Sequence, residues 1–145
     1  MKRVNIHKIE PDVYKAMMGL EQYLSTTDIP AIQMELIKIR ASQINGCAFC
    51  LDMHTKDALK IGESPQRIFL LNAWKETDLF SEEERSILAM TEEVTLIHQQ
   101  GLSNETYAKA LDLFGEKRVA QLIMAMVTIN SWNRIAIATN LPLGK

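Results

Sequence analysis

The chain has 145 residues, of which 47% are hydrophobic and 23% are charged. This length corresponds to one domain of ordinary size, and this composition excludes disordered, collagen-like and mucin-like classes. The formal net charge of −2 provides no excess of cations for neutralising phosphates, so we expect no nucleic-acid partner.

The sequence predicts neither a secretory signal nor a membrane-spanning segment. Residues 1–12 alternate charged and apolar side chains and lack the apolar stretch of a signal peptide. The longest apolar run covers residues 122–127, whereas a membrane span needs about twenty residues. We therefore predict a soluble, cytoplasmic protein with no membrane partner. Because cytosolic thiols are kept reduced, its two cysteines are more typical of catalysis or metal binding than of a structural disulfide.

Helices are predicted along almost the whole chain. Apolar residues recur at helical spacing, prolines stand near the starts of these stretches, and glycines stand near their ends. Ser81 and Glu84 form a capping box that marks one helix start. No two-residue alternation bounded by hairpin turns indicates a strand. We predict an all-α, single-domain bundle over residues 1–145, with about six to seven helices at residues 12–24, 31–44, 48–61, 66–74, 82–99, 104–114 and 116–139.

Two of these predicted helices carry apolar residues on more than one side. In a small bundle, such helices are expected to bury surface against other subunits as well as in their own core. The sequence therefore predicts a homo-oligomer. The residues concerned are Ile32, Leu36 and Ile39 opposite Met34, Ile37, Ala41 and Ile44 in the second helix, and Val119, Leu122, Ile123, Ala125, Met126, Ile129 and Trp132 in the last.

Cys47, Cys50 and His54 form the pattern C-x-x-C-x-x-x-H at the start of the third predicted helix. At about 100° per residue, Cys50 lies about 60° from Cys47 and His54 about 20°. The three side chains therefore share one face of the helix. Apolar residues on the same face indicate that it is buried, namely Leu51, Ala58 and Ile61.

A carboxylate falls within an apolar stripe of the second predicted helix. Glu35 lies between Ile32 and Leu36 on that stripe. Burying a carboxylate without a partner costs several kcal/mol or forces it to protonate. We therefore expect a polar partner for Glu35, and the inward-facing His54 is the candidate.

This set of side chains is what thiol catalysis requires. A free cysteine has a pKa of about 8.5, and the thiolate is the nucleophile, so a neighbouring group must stabilise it. A helix N-terminus and His54, one turn after Cys50, can do so. We predict Cys50 as the nucleophile and Cys47, within disulfide reach, as the thiol that attacks oxidised Cys50. Glu35 would then orient the imidazole or pass its proton onward.

The four residues resemble the signature of the carboxymuconolactone decarboxylase-like superfamily, and specifically its alkylhydroperoxidase D-like branch. The segments ELIKIRASQINGCAFCLDMHTKDALKIG and NRIAIATNLP carry the resemblance, which covers most of the chain. It implies a helical bundle that assembles as trimers or hexamers and reduces hydroperoxides without a cofactor. It also implies Cys50 as the peroxidatic cysteine, Cys47 as the resolving cysteine, Glu35 and His54 as the proton relay, and a lipoyl or thioredoxin-like dithiol as the reductant.

One position departs from the family pattern. Phe49 stands between the cysteines, where the best-known member of the branch has a histidine, so the relay lacks one polar group. Lactone decarboxylation is not expected, since the decarboxylase that names the superfamily lacks the cysteine pair.

Two other readings of the cysteines stay open. A structural zinc site normally has four ligands, and only three donors cluster here unless Glu35 or another subunit completes the set. The wider alternative is a non-catalytic helical oligomer whose cysteines bind a metal or sense redox state. We predict that no metal is bound.

Overall fold

The computed structural model describes residues 1–144, and every regular element in that range is helical. The predicted all-α class is confirmed. None of these helices is long and apolar enough to cross a lipid bilayer. Eight α-helices and one 3-10 helix follow in chain order: α1 (Ile6–Ile9), α2 (Pro11–Ser25), α3 (Ala31–Asn45), α4 (Ala48–Lys60), α5 (Pro65–Phe69), the 3-10 helix (Leu71–Glu76), α6 (Glu82–Thr95), α7 (Ile97–Gln100) and α8 (Asn104–Thr139).

The predicted helices differ from the observed ones at three places. Helix α1 was not predicted, because it is only one turn long and is held by the side chain of Asn5. The predicted helix 66–74 is α5 followed by the 3-10 helix. The predicted helix 82–99 is divided at Leu96, whose backbone (φ −95°, ψ 39°) leaves the helical region. The capping box of Ser81 and Glu84 is confirmed.

The predicted break in the last helical stretch is also confirmed. Helix α8 is interrupted at Gly115, whose φ of 73° and ψ of 166° are not helical. Only glycine adopts this combination without strain, because a Cβ would collide with the backbone. The chain therefore changes direction there, between the predicted helices 104–114 and 116–139.

Helix α3 lies at the centre of the bundle and contacts α4, α6 and α8. One of its stripes, with Ile37 and Ala41, belongs to a core cluster shared with α6 and α8. The opposite stripe, with Leu36 and Ile39, belongs to a second cluster with α4 and the 3-10 helix. Each fully buried leucine or isoleucine side chain contributes about 1.5–3 kcal/mol. Because both stripes are covered within this chain, they are no evidence of a subunit contact, and the homo-oligomer stays a prediction.

A tight turn connects α3 to α4 and places the cysteines. Gly46 ends α3 in the left-handed conformation (φ 70°) that favours glycine. The backbone N–H of Cys47 then donates to the carbonyl of Ser42, at 3.0 Å. Helix α4 begins at Ala48, so the C-terminus of α3 and the N-terminus of α4 meet at the cysteines.

An ion-pair cluster joins the end of α4 to α5 and α6. Arg67 Nε donates to Glu63 Oε1 at 2.8 Å, and Arg67 Nη2 donates to Glu84 Oε1 at 2.6 Å. Burial acts to raise the pKa of Glu84, but the hydrogen bonds from Arg67 and Ser81 outweigh it and hold that pKa below its usual value. The carboxylate is therefore ionised in the folded protein at neutral pH.

Candidate active site

The two cysteines meet at the N-terminus of α4. Cys47 is the N-cap residue, and its Sγ accepts the backbone N–H of Cys50 at 3.3 Å. The Cα atoms lie 5.3 Å apart and the sulphurs form a disulfide, so the expected disulfide reach is confirmed. Cys47 is 1% exposed and Cys50 is 2% exposed. The cysteine pair is thus buried at the start of the helix, and the backbone N–H of Cys50 points toward the sulphur of Cys47.

Helices α3 and α4 bring Glu35 and His54 together, as predicted. His54 Nδ1 lies 3.0 Å from Glu35 Oε2, and His54 is 8% exposed. When the ring is neutral, a hydrogen bond from Nδ1–H to the carboxylate leaves Nε2 as the basic nitrogen. Within residues 1–144, Nε2 makes no hydrogen bond. Its lone pair is therefore available to a proton on another group.

Lys38 is a further member of this group that the sequence analysis missed. Its Nζ lies 3.5 Å from Glu35 Oε1, so the carboxylate contacts the lysine through one oxygen and His54 through the other. The three-residue spacing of Glu35 and Lys38 on a helix was the available signal.

The immediate surroundings of the sulphurs are apolar. Cys47 and Cys50 form a cluster with Ala136 of α8, and Phe49 packs against it. Phe49, which stands between the cysteines in the sequence, therefore also lies against them in the structure. A hydrocarbon wall of this kind excludes water from the sulphurs and offers no proton donor.

A buried amide network supports the α3–α4 turn, and the sequence analysis also missed it. Asn45 Nδ2 donates to Asn130 Oδ1 at 3.0 Å and to Asn133 Oδ1 at 2.9 Å. Asn133, which is fully buried, donates to Ser42 Oγ at 3.0 Å. These bonds tie the last turn of α3 to α8. No local signal predicts them, since the partners are about ninety residues apart in the chain.

The predicted buried face of α4 is correct except at its end. Ala58 is buried and Leu51 is partly buried, but Ile61 is 45% exposed, so that part of the prediction was wrong. Helix α4 ends at Lys60, and Ile61 is its C-cap, so the helical periodicity no longer sets its direction. In the part of the chain that the structure describes, no three or more His, Cys, Asp or Glu side chains are grouped to hold a metal ion.

This arrangement combines a dithiol–disulfide pair with an acid–base pair one turn away. The thiolate form of either cysteine would be stabilised by the helix N-terminus, and His54 can exchange a proton with a thiol or a leaving group. Such a site is suited to reactions in which sulphur attacks an electrophilic atom and is then regenerated by a second thiol.

The match to a family model and the similarity to known proteins define the class to which this helical bundle belongs. The chain belongs to the Carboxymuconolactone decarboxylase family, whose model matches residues 11–93. It is 45% identical over 137 residues to the uncharacterized protein YdfG of Bacillus subtilis (strain 168). The alignment covers 94% of this chain and 93% of YdfG.

Solved structures place the chain in the alkylhydroperoxidase D-like part of this superfamily, as the resemblance implied. The Agrobacterium tumefaciens protein ATU0492, of unknown function but with a suggested AhpD-type role in antioxidant defence, matches with a TM-score of 0.95 and 35% identity, over 100% of this chain and 99% of that chain. The debrominase Bmp8 matches with a TM-score of 0.81 and 19% identity, over 92% and 72% of the two chains. At that identity, the likeness to Bmp8 shows the fold alone.

Proposed function

We propose that this protein is a cytoplasmic thiol peroxidase that reduces hydroperoxides, with residues 1–145 forming a single domain that assembles as a trimer or hexamer. The observation that carries the proposal is the disulfide-linked pair Cys47 and Cys50 one helical turn before a His54 that is bound to Glu35. A buried imidazole held by a carboxylate can act as an acid–base group, and it lies one helical turn from the disulfide-linked Cys50 in the sequence of α4.

In the first step, the thiolate of Cys50 attacks one oxygen of the hydroperoxide. The O–O bond breaks, Cys50 is oxidised to a sulfenic acid, and the leaving alkoxide takes a proton to become an alcohol. His54 supplies that proton after accepting it from the Cys50 thiol. Glu35 stabilises the imidazolium that exists between these transfers, because its carboxylate lies 3.0 Å from Nδ1.

In the second step, Cys47 attacks the sulfenic acid of Cys50. A disulfide forms, water leaves, and the protein reaches the oxidised form seen here. An external dithiol, of the lipoyl or thioredoxin-like class, then reduces the disulfide and is itself oxidised. The N–H of Cys50 that points to Cys47 Sγ supports Cys47 as the leaving thiolate in this exchange.

The proposal is tested by peroxide consumption with a panel of dithiol reductants. The wild-type protein is expected to turn over with at least one of them. Cys50→Ser is expected to abolish both turnover and trapping of a sulfenic acid. Cys47→Ser is expected to let the sulfenic acid accumulate, because no neighbouring thiol consumes it. The reverse pattern would exchange the two roles.

A second set of measurements separates catalysis from the alternative of a metal-binding or redox-sensing oligomer. An activated Cys50 is expected to be alkylated at pH 6 to 7 faster than a model thiol. Stoichiometric zinc in the purified protein that Cys47→Ser removes would favour the metal reading. Cys50→Ala is expected to fold and assemble normally, since alanine fits where the thiol stood. Loss of assembly in this variant would indicate a structural role.

A further inference from the structure

An apolar cleft lies between α8 and the α6–α7 region. Its volume is about 460 Å³, within the range of about 300–1,000 Å³ that small-molecule sites occupy. Of the described residues that line it, none belongs to the cluster around the sulphurs. The cleft therefore lies outside the cluster around the sulphurs, and its lining residue Asn130 connects it to Asn45 of the α3–α4 turn. Its apolar wall consists of Val94, Ile97, Leu102, Ile123 and Val127.

The cleft is apolar along most of its length and polar at one end. Ile123 and Arg134 mark the two ends on α8, and a rise of 1.5 Å per residue puts them about 16 Å apart. Asn130 and Ser131 lie with Arg134 at the polar end. This division of the lining matches a ligand with a hydrocarbon tail and a single polar head group.

The guanidinium at the polar end is oriented but carries no counter-charge. Arg134 Nη1 donates to the backbone carbonyl and to Oδ1 of Asn130, both at 3.1 Å. Asn130 is in turn fixed by hydrogen bonds with Thr95 and Asn45. Within residues 1–144, no carboxylate forms an ion pair with Arg134. Since an arginine has five N–H donors, most of them remain to bind an anion.

We propose that this cleft binds an apolar monocarboxylate. The hydrocarbon tail would lie along the apolar wall, where its burial is favourable. The carboxylate would pair with Arg134, because a guanidinium fork matches the two oxygens of a carboxylate and forms charge-assisted hydrogen bonds with them. Charge complementarity thus selects an anion over a neutral or cationic ligand with the same tail. The site does not depend on the cysteine chemistry.

The test uses the full-length protein and isothermal titration calorimetry with decanoate below its micelle concentration. Decanoate is expected to bind saturably, with one molecule per chain, whereas decyltrimethylammonium, which has the same tail and the opposite charge, is expected not to bind. Arg134→Gln is expected to weaken decanoate binding about tenfold or more, the loss typical of a hydrogen bond to a charged group.

Two further variants serve as control and confirmation. Arg118→Gln makes the same charge change on the same helix outside the cleft, and it is expected to leave decanoate binding unchanged. Val127→Glu introduces a negative charge at an exposed position of the apolar wall, and it is expected to abolish binding while circular dichroism shows a normal helical content. Cys50→Ser is expected to bind decanoate as the wild type does.

Three results would overturn the proposal. The first is equal binding of decanoate and decyltrimethylammonium. The second is an Arg134→Gln variant that binds decanoate as tightly as the wild type. The third is an absence of saturable decanoate binding, together with a change in subunit number for Val127→Glu in sedimentation velocity. That last outcome would identify the cleft as a contact between copies of this chain.

Discussion

The pairing of Glu35 with His54 yields a quantitative prediction about the proposed chemistry. Glu35→Gln preserves the size of the side chain and still offers an oxygen to His54 Nδ1, which lies 3.0 Å from the carboxylate in the wild type. What the variant removes is the negative charge. The imidazolium that forms when His54 takes the thiol proton then loses its charged partner.

The size of the effect follows from the type of hydrogen bond. A hydrogen bond to a charged group contributes about 1.5–3 kcal/mol and one between neutral groups about 0.5–1.5 kcal/mol. Glu35→Gln therefore lowers the stabilisation of the His54 imidazolium by about 1–2 kcal/mol. Each 1.36 kcal/mol corresponds to a factor of ten in rate, so we expect the rate of Cys50 oxidation to fall about 5- to 30-fold.

The assay is a single-turnover reaction in which the reduced protein is mixed with hydroperoxide and the loss of thiol is followed in time. Glu84→Gln is the matched control, because it neutralises another partly buried glutamate that has a cationic partner, Arg67, in a separate cluster. The control is expected to oxidise at the wild-type rate. A Glu35→Gln protein that oxidises as fast as the wild type would show that the carboxylate plays no part in proton transfer.

Three other substitutions test the fold and the site. Glu84→Gln should lower the free energy of unfolding by about 1–3 kcal/mol at pH 7. Because the pKa of Glu84 is lowered in the folded state, the difference in free energy of unfolding between the wild type and this variant should shrink as the pH falls below 4.5, the ordinary pKa of a glutamate. A difference that does not change with pH would contradict this prediction. Asn133→Ala should lower the free energy of unfolding by about 2–4 kcal/mol, since two hydrogen bonds and the packing of a buried side chain are lost. Urea denaturation measures this change, and an unchanged midpoint would refute the prediction. Phe49→His should raise steady-state peroxide turnover about tenfold by adding a proton donor beside the sulphurs, and an unchanged rate would show that the ring does not limit the relay.

Local signals were sufficient for most of the longer helices and for the spacing of the reactive groups on α4. The helical repeat places Cys50 and His54 on one face of α4, and Cys47 precedes them as the N-cap of that helix. Gly115 marked a break that the backbone confirms. The pairing of Glu35 with His54 could also be predicted, because a carboxylate on an apolar stripe needs a partner and His54 lies on the buried face of the next helix.

Features formed between distant segments could not be predicted in the same way. The two-sided helix α3 was interpreted as partly a subunit contact, yet α4, α6 and α8 cover both of its stripes. A sequence shows that a face is apolar but not which helix covers it. The split of residues 82–99 at Leu96 was missed for a related reason, since helical periodicity continues across a backbone irregularity.

The amino-acid sequence by itself determined the helical class, the main helix ends and a helix face that carries the Cys50 thiol and the His54 imidazole, because backbone hydrogen bonding and the helical repeat act over a few residues. Only the tertiary structure decided that Asn45 and Asn133 join across the bundle and that Arg134 lies without a counter-ion at the end of an apolar cleft. Such contacts depend on how whole helices pack and on where their connections direct them, and no short stretch of the chain contains that information.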